Sequence, residues 1–200
     1  MAQPYDRFAR FYDRAFTPLE RFYLASLRQG VLAELPVEGH ILEIGAGTGV
    51  NFKLYPEGSH AVASEISMQM IAIAKDKTNR IDIVQADAQE LPFPANRFDA
   101  AFATLVFCSV PDPVRGLSEI RRVLKPGGLL LLIEHVRPDG ALGYAFDAIS
   151  RLTVALADDH FDRRTAENVR AAGFENVIVE KRLGGVLNVI RSRKDGAGSG

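Results

Sequence analysis

The chain has a single cysteine, Cys108, which leaves no partner for an internal disulfide and no ligand set for a cysteine-bound zinc ion. Long apolar runs are also missing: none approaches the roughly 18–20 residues that a membrane span requires. An excess of either charge is absent, since 24 Lys+Arg against 25 Asp+Glu leave a net charge of -1 and no global basic field for nucleic acid. The opening MAQPYDRFARFYDRAF mixes charges with aromatics and holds no apolar signal-peptide stretch. No internal repeat is visible. These absences predict an intracellular protein that stays in water or lies on a membrane surface. Against them stand 200 residues, 47% hydrophobic and 24% charged, a composition suited to one ordinary globular core.

The aromatic residues are unevenly spread. Tyr5, Phe8, Phe11, Tyr12, Phe16, Phe22 and Tyr23 all precede residue 24, and Phe8, Phe11, Tyr12, Ala15, Phe16 and Leu19 follow helical spacing. Arg7, Arg10, Arg14 and Arg21 lie between them, partly offset by Asp6, Asp13 and Glu20. Two readings stand: an aromatic stripe packed on the core, or an interfacial helix and lid with rings at the lipid headgroups. Pro18 ends or kinks the first helix and leaves about 18–35 for a second. The expected organisation is a helical lid or membrane-contact segment at 1–35, a main domain at 36–192 and a flexible tail at 193–200.

From residue 40 the pattern alternates strand, loop and helix. HILEIG, HAVAS, IDIVQA, FDAAFATL and GLLLLIEHV read as strands, separated by helices at 67–77, about 113–124 and about 142–156. Nearly continuous apolar strands between helices imply a parallel sheet covered on both faces. The last third reads as a helix at 165–172, Gly173, the strand NVIVEKR, a Gly184-Gly185 turn and the strand VLNVIRS. A tight turn between strands implies an antiparallel hairpin at the sheet edge. KDGAGSG reads as an end without a structural role.

The segment Glu43-Ile44-Gly45-Ala46-Gly47-Thr48-Gly49 follows a strand and opens a helix. Glycines there let the chain turn sharply and let a ligand approach the main chain, at the strand end where doubly wound sheets bind ligands. Glu65 ends the second apolar run and can accept both ribose hydroxyls. The dinucleotide pattern G-x-G-x-x-G fails, because its third glycine falls on Val50. Glu43 stands where a carboxylate can face a cationic ligand, and Asp87-Ala88 offers an acceptor for an adenine amino group.

These features together resemble the class I S-adenosylmethionine-dependent methyltransferases over roughly residues 40–135. The motifs ExGxGxG at 43–49, Glu65, Asp87-Ala88, FDAAFATLVF at 98–107 and LKPGG at 124–128 occur in that family's order and spacing. The resemblance implies a Rossmann-like α/β fold with a mostly parallel seven-stranded sheet, an antiparallel edge hairpin, helices on both faces and N-terminal amphipathic helices. It implies S-adenosylmethionine as cofactor, with Gly45, Gly47 and Gly49 along its methionine part. Glu43 and Asn51 are implied beside them, Glu65 at the ribose, Ile66 against adenine, Asp87 on its amino group with Ala88 also in the cofactor site, and Thr104 and Leu105 near the sulfonium.

The substrate is read from the ends of the chain. YDRFARFYDRAF, SVPDP, LKPGG and the EHV run at 134–136 resemble the small bacterial phosphatidylethanolamine N-methyltransferases. That resemblance implies stepwise methylation towards phosphatidylcholine by a peripheral protein on an anionic cytoplasmic membrane face. Tyr5 and Tyr12, seven apart on one helical face, suit an amine through hydrogen bonding and cation–π attraction. His135 can take the amine proton or can be a structural histidine. His160, Arg163 and Arg164 form a polar cluster suited to a lipid phosphate or simply a solvated helix cap. A quinone-ring C-methyltransferase or a small-molecule thiol S-methyltransferase is the alternative, TLVFCSVPDP, EHV and DDHFDRRT being similar to membrane-associated thiol methyltransferases. A cofactor-binding module without turnover is a third. The lack of a cysteine cluster speaks against arsenic methylation, and nothing in the pattern asks for a metal.

Overall fold

The computed structural model describes residues 23–135, 164–183 and 187–196. Its elements are α1 (Ala25–Leu32), β1 (Gly39–Ile44), β2 (Ser59–Glu65), α2 (Met68–Lys75), β3 (Asp82–Gln85), β4 (Phe98–Thr104), α3 (Pro113–Val123), β5 (Leu124–His135), α4 (Thr165–Ala171), β6 (Ile178–Arg182) and β7 (Leu187–Arg193). The expected helix at about 142–156 and the Gly184-Gly185 turn lie outside the described residues, as does the first part of the helix expected at 18–35.

The seven strands form one sheet in the order β3-β2-β1-β4-β5-β7-β6. β1 pairs in parallel with both β2 and β4, β3 extends β2, and β5 extends β4. β7 runs antiparallel to β5 and β6. The architecture is therefore the Rossmann-like one with an antiparallel edge pair. The strand order reverses between β1 and β4, so their carboxyl ends open a crevice.

Alternation along the central strands sends side chains to two cores. Leu42, Ile44, Ala101, Leu130 and Leu132 pack on one face with Leu117 and Ile120 of α3 and Val169 of α4. Ile41, Phe102, Leu131 and Ile133 pack on the other with Val31 and Leu32 of α1, Phe52 and Tyr55. Helix starts obey local chemistry: Ser67 caps α2 by accepting from the Met70 N–H, and Asp112 caps α3 by accepting from the Arg115 N–H, with Pro113 in its first turn.

Two expectations need correction. β5 begins at Leu124, not at Gly128, because LKPGG is an excursion within the strand: Phe98 pairs with Leu124 but Ala100 already pairs with Leu129. Pro126 has no N–H to give the ladder, and the Gly127 N–H turns instead to the Lys194 carbonyl at 2.8 Å. Lys194 and Asp195, expected in a tail without structural role, are structural. The Lys194 ammonium donates to the Leu124 carbonyl and to Asn96 Oδ1, both at 2.8 Å, and Asp195 pairs with Arg121 at 3.2 Å. A cation beside the carbonyls that end α3 is a favourable arrangement, since those groups lack helical donors.

Among the described residues, no helix is long and apolar enough to cross a membrane.

Candidate active site at the carboxyl ends of β1 and β4

A cavity of about 250 Å³ opens at the crevice between β1 and β4. Its wall includes Gly45, Gly47, Asn51, Glu65, Ile66, Asp87, Ala88, Thr104 and Leu105. These residues come from four separate stretches of sequence, and the reversal of strand order is what gathers them. Glu43 and Gly49 of the glycine motif are not part of the wall.

The glycines divide the work. A Cβ built at Gly47 would meet no atom of the described residues within 4 Å beyond its chain neighbours, so this residue keeps the cavity open, at φ +56°. One at Gly45 would strike the Val106 side chain at 2.6 Å, and one at Gly49 the Phe52 ring at 2.5 Å. Those two permit close packing of the loop against its neighbours.

Glu65 organises the loop by accepting three backbone N–H groups: Gly47 at 2.8 Å, and Ile66 and Ser67 both at 2.9 Å. A carboxylate has about four acceptor positions, so one remains on Oε2. At the far end, Asp87 accepts from the Gln89 N–H at 2.8 Å and from its side-chain amide at 3.1 and 3.2 Å. Asp112 N–H in turn donates to Gln89 Oε1 at 3.0 Å, which ties this end of the cavity to the cap of α3.

Glu43 lies beneath the floor, fully buried. Its carboxylate accepts from Asn51 Nδ2 at 2.5 Å and from the Tyr55 hydroxyl. Asn51 Nδ2 also donates to Thr104 Oγ1 at 3.0 Å, and Asn51 Oδ1 is buried with no partner among the described residues. Burial raises the Glu43 pKa to about 7, although the Asn51 and Tyr55 hydrogen bonds oppose the shift. A carboxyl that holds its proton more tightly when folded stabilises the fold fully below its unfolded pKa, and that contribution disappears as pH rises through 7. Glu43→Gln removes this dependence. Its stability relative to the parent is expected to improve by roughly 2–3 kcal/mol between pH 5 and pH 8, read from urea midpoints at both pH values. A difference independent of pH would show that Glu43 stays ionised in the folded protein.

The loop after β4 is held under strain. Leu105 adopts φ +57°, a region costly for a side-chain-bearing residue. It is fixed by its N–H on the Ile133 carbonyl at 2.7 Å and by Glu134, which accepts from the Val106 and Phe107 N–H groups at 3.1–3.2 Å. Glu134 is fully buried, and the sequence reading passed over it for its neighbour His135. A carboxylate within LLLLIEH was the available signal, because a charge in a buried strand demands partners. Arg28 of α1 was missed too; it lines the cavity at 7% exposure.

The remaining candidates are not brought to this cavity by the described structure. Arg164 is exposed and pairs with Glu167 at 3.3 Å in the first turn of α4. His135 ends β5, its backbone paired with Leu187; its side chain, with Tyr5, Tyr12, His160 and Arg163, lies outside the described residues. Among the described residues no cluster of histidine, cysteine or carboxylate side chains suits a metal.

Residues 42–132 match the methyltransferase domain family. The chain is 35% identical to a demethylmenaquinone methyltransferase of Clavibacter sepedonicus, over 95% of this chain and 88% of that one. It is 32% identical to a phosphatidylethanolamine N-methyltransferase of Cereibacter sphaeroides, over 64% and 68% of the two chains. The crystal structure of a SAM-dependent methyltransferase, possible histamine N-methyltransferase, from Thermotoga maritima superposes with a TM-score of 0.77 at 28% identity, over 96% of this chain and 99% of that one. Similarity of this extent, carried by a sheet of this order, shows that the chain belongs to the class I S-adenosylmethionine-dependent methyltransferases.

Proposed function

We propose that the enzyme methylates the amine of phosphatidylethanolamine, stepwise towards phosphatidylcholine, on an anionic cytoplasmic membrane surface. The observation that carries this reading is the wall beside Thr104: Leu105, Val106, Ser109, Val110 and Pro111 bear no charge. An uncharged and mainly apolar wall disfavours an ammonium ion and so favours the neutral amine, which is the nucleophilic form.

The cavity's donor and acceptor set fits the cofactor. Asn51 Oδ1 is a buried acceptor with no partner among the described residues, suited to the ammonium of the cofactor's methionine part. Gly47 leaves room for that part to lie on the main chain. The remaining position on Glu65 Oε2 takes a ribose hydroxyl, Ile66 and Ala88 flank the adenine, and Asp87 accepts from its amino group. When bound, S-adenosylmethionine supplies a methyl group already activated by its sulfonium.

The protein's own contribution is positioning and exclusion of water. Thr104 and the strained Leu105, held by Ile133 and Glu134, set the wall against which the acceptor nitrogen rests. Gly45 and Gly49 act through packing, and Glu43 acts through Asn51, whose amide it orients. His135 is proposed to accept the amine proton, Tyr5 and Tyr12 to cover the amine, and His160, Arg163 and Arg164 to receive the phosphate. Residues 1–35 are proposed as the membrane-contact lid.

The similarity to the demethylmenaquinone enzyme supports a second reading, C-methylation of a quinone ring, and a small thiol is a further acceptor class. The test is incubation of the full chain and labelled methyl donor with phosphatidylethanolamine vesicles, a demethylated quinol in detergent, and soluble thiols. Label in mono-, di- and trimethylated headgroups is expected, together with loss of vesicle binding when residues 1–22 are deleted. Label confined to the quinol or the thiol would overturn the lipid amine.

A further inference from the structure

We infer that Gln89 is a positioning residue that carries the occupation of the cofactor cavity to the start of α3, so that the acceptor-side wall is set only once the methyl donor is in place. This rests on the reading of the cavity as the cofactor site, and it concerns the coupling of the cavity's two sides rather than the contacts of the donor itself.

Gln89 is bonded at both ends of its side chain. Its backbone N–H donates to Asp87 at 2.8 Å, and its side-chain amide donates to the same carboxylate at 3.1 and 3.2 Å. Its Oε1 accepts from the Asp112 N–H at 3.0 Å. That N–H belongs to the peptide joining Pro111 to Asp112, and Ser109, Val110 and Pro111 line the cavity. Asp112 in turn caps α3. One side chain therefore joins Asp87, just after β3, to the wall that follows β4.

The seam between residues 87–93 and α3 is fixed at one end and loose at the other. At the far end Glu119 accepts from the Leu91 N–H at 2.9 Å, and Arg122 donates to the Leu91 and Phe93 carbonyls at 3.0 and 2.8 Å, all partly buried. At the cavity end the Asp112–Gln89 bond is exposed, as is the bond from Arg115 Nε to the Gln89 carbonyl at 3.0 Å. Exposed hydrogen bonds compete with water, so the seam opens from the cavity end. Asp87 governs that end. Gln89 occupies its Oδ1, and Oδ2 keeps an acceptor position for a ligand. A ligand group held there fixes the carboxylate in the orientation that Gln89 needs, and so favours the closed seam without touching α3. The helix is close enough to follow: a Cβ built at Gly116 would lie 3.6 Å from the Ala88 carbonyl oxygen and 3.3 Å from the Phe107 ring.

Hydrogen exchange of the full chain, with and without saturating S-adenosylhomocysteine, reads this transmission. Residues 114–119 are not part of the cavity wall, so a ligand-dependent change there has to pass through the protein. In the parent the ligand is expected to slow exchange by about three- to tenfold across 114–119, as well as in the glycine loop at 45–51. Gln89→Ala is expected to keep the slowing at 45–51 and to lose it at 114–119. Gln89→Lys keeps a donor for Asp87 without an acceptor for the Asp112 N–H, and Gln89→Glu does the reverse; each is expected to lose the slowing at 114–119, because both bonds are needed. A merely structural role would change exchange equally with and without ligand. Slowing at 114–119 that survives in the variants would overturn the role of Gln89. So would a parent that slows only at 45–51, a reading that needs no variant to fold. A parent that neither binds S-adenosylhomocysteine in calorimetry nor slows at 45–51 would overturn the cofactor-site reading itself.

Discussion

Gly47→Val is expected to abolish donor binding, by more than about 100-fold in Kd, while leaving the protein folded. The Cβ of the new side chain would meet no atom of the described residues within 4 Å beyond its chain neighbours, and Gly47 lines the cavity, so the branched side chain would stand in the cavity. The backbone does resist, because φ +56° is left-handed and costs a side-chain-bearing residue about 1–2 kcal/mol. Gly127→Val separates the two effects. Gly127 sits at φ +77° with equally open surroundings, but in the LKPGG excursion rather than at the cavity. Both variants are expected to lose similar thermal stability, and only Gly47→Val to lose S-adenosylhomocysteine in calorimetry. If Gly47→Val bound it as the parent does, the donor would not pass over this loop.

Glu65→Ala is expected to have the second largest effect, on both binding and stability. The carboxylate gathers the Gly47, Ile66 and Ser67 N–H groups, and so fixes the glycine loop to the end of β2 and the start of α2. Its removal leaves three donors without their acceptor, at about 1–3 kcal/mol for each that stays dry. It also removes the oxygen proposed for the ribose. Donor affinity is expected to fall by more than about 100-fold, with Glu65→Gln intermediate because it keeps one acceptor oxygen. Affinity within about threefold of the parent in Glu65→Ala would show that the loop orders itself and that the ribose is held elsewhere.

The overall plan was legible because it rests on local signals. Apolar runs alternating with helical segments announced the parallel sheet, and a glycine between two late strands announced the antiparallel edge. The glycine loop and the acidic residues that close successive strands were legible for the same reason, since the chemistry of a strand end is written in adjacent residues. Lys194 was misjudged because its partners, Asn96 and Leu124, are far away in sequence and its neighbours on the chain are those of a loose end. Residues 124–127 fall outside the strand expected from Gly128 because proline and glycine mark turns, whereas here the ladder resumes on either side of them.

Composition and periodicity, read along the chain, determined that this is a wound α/β protein with a ligand loop after its first strand. Only the tertiary structure decided what the polar groups in that region do. Glu43 points under the floor to Tyr55 and Asn51; Glu134 reaches back to the loop after β4; Arg28 arrives from a helix before the first strand. The reason is physical: a backbone conformation is chosen largely by near neighbours, whereas a buried charge is satisfied by whichever elements the sheet order brings against it.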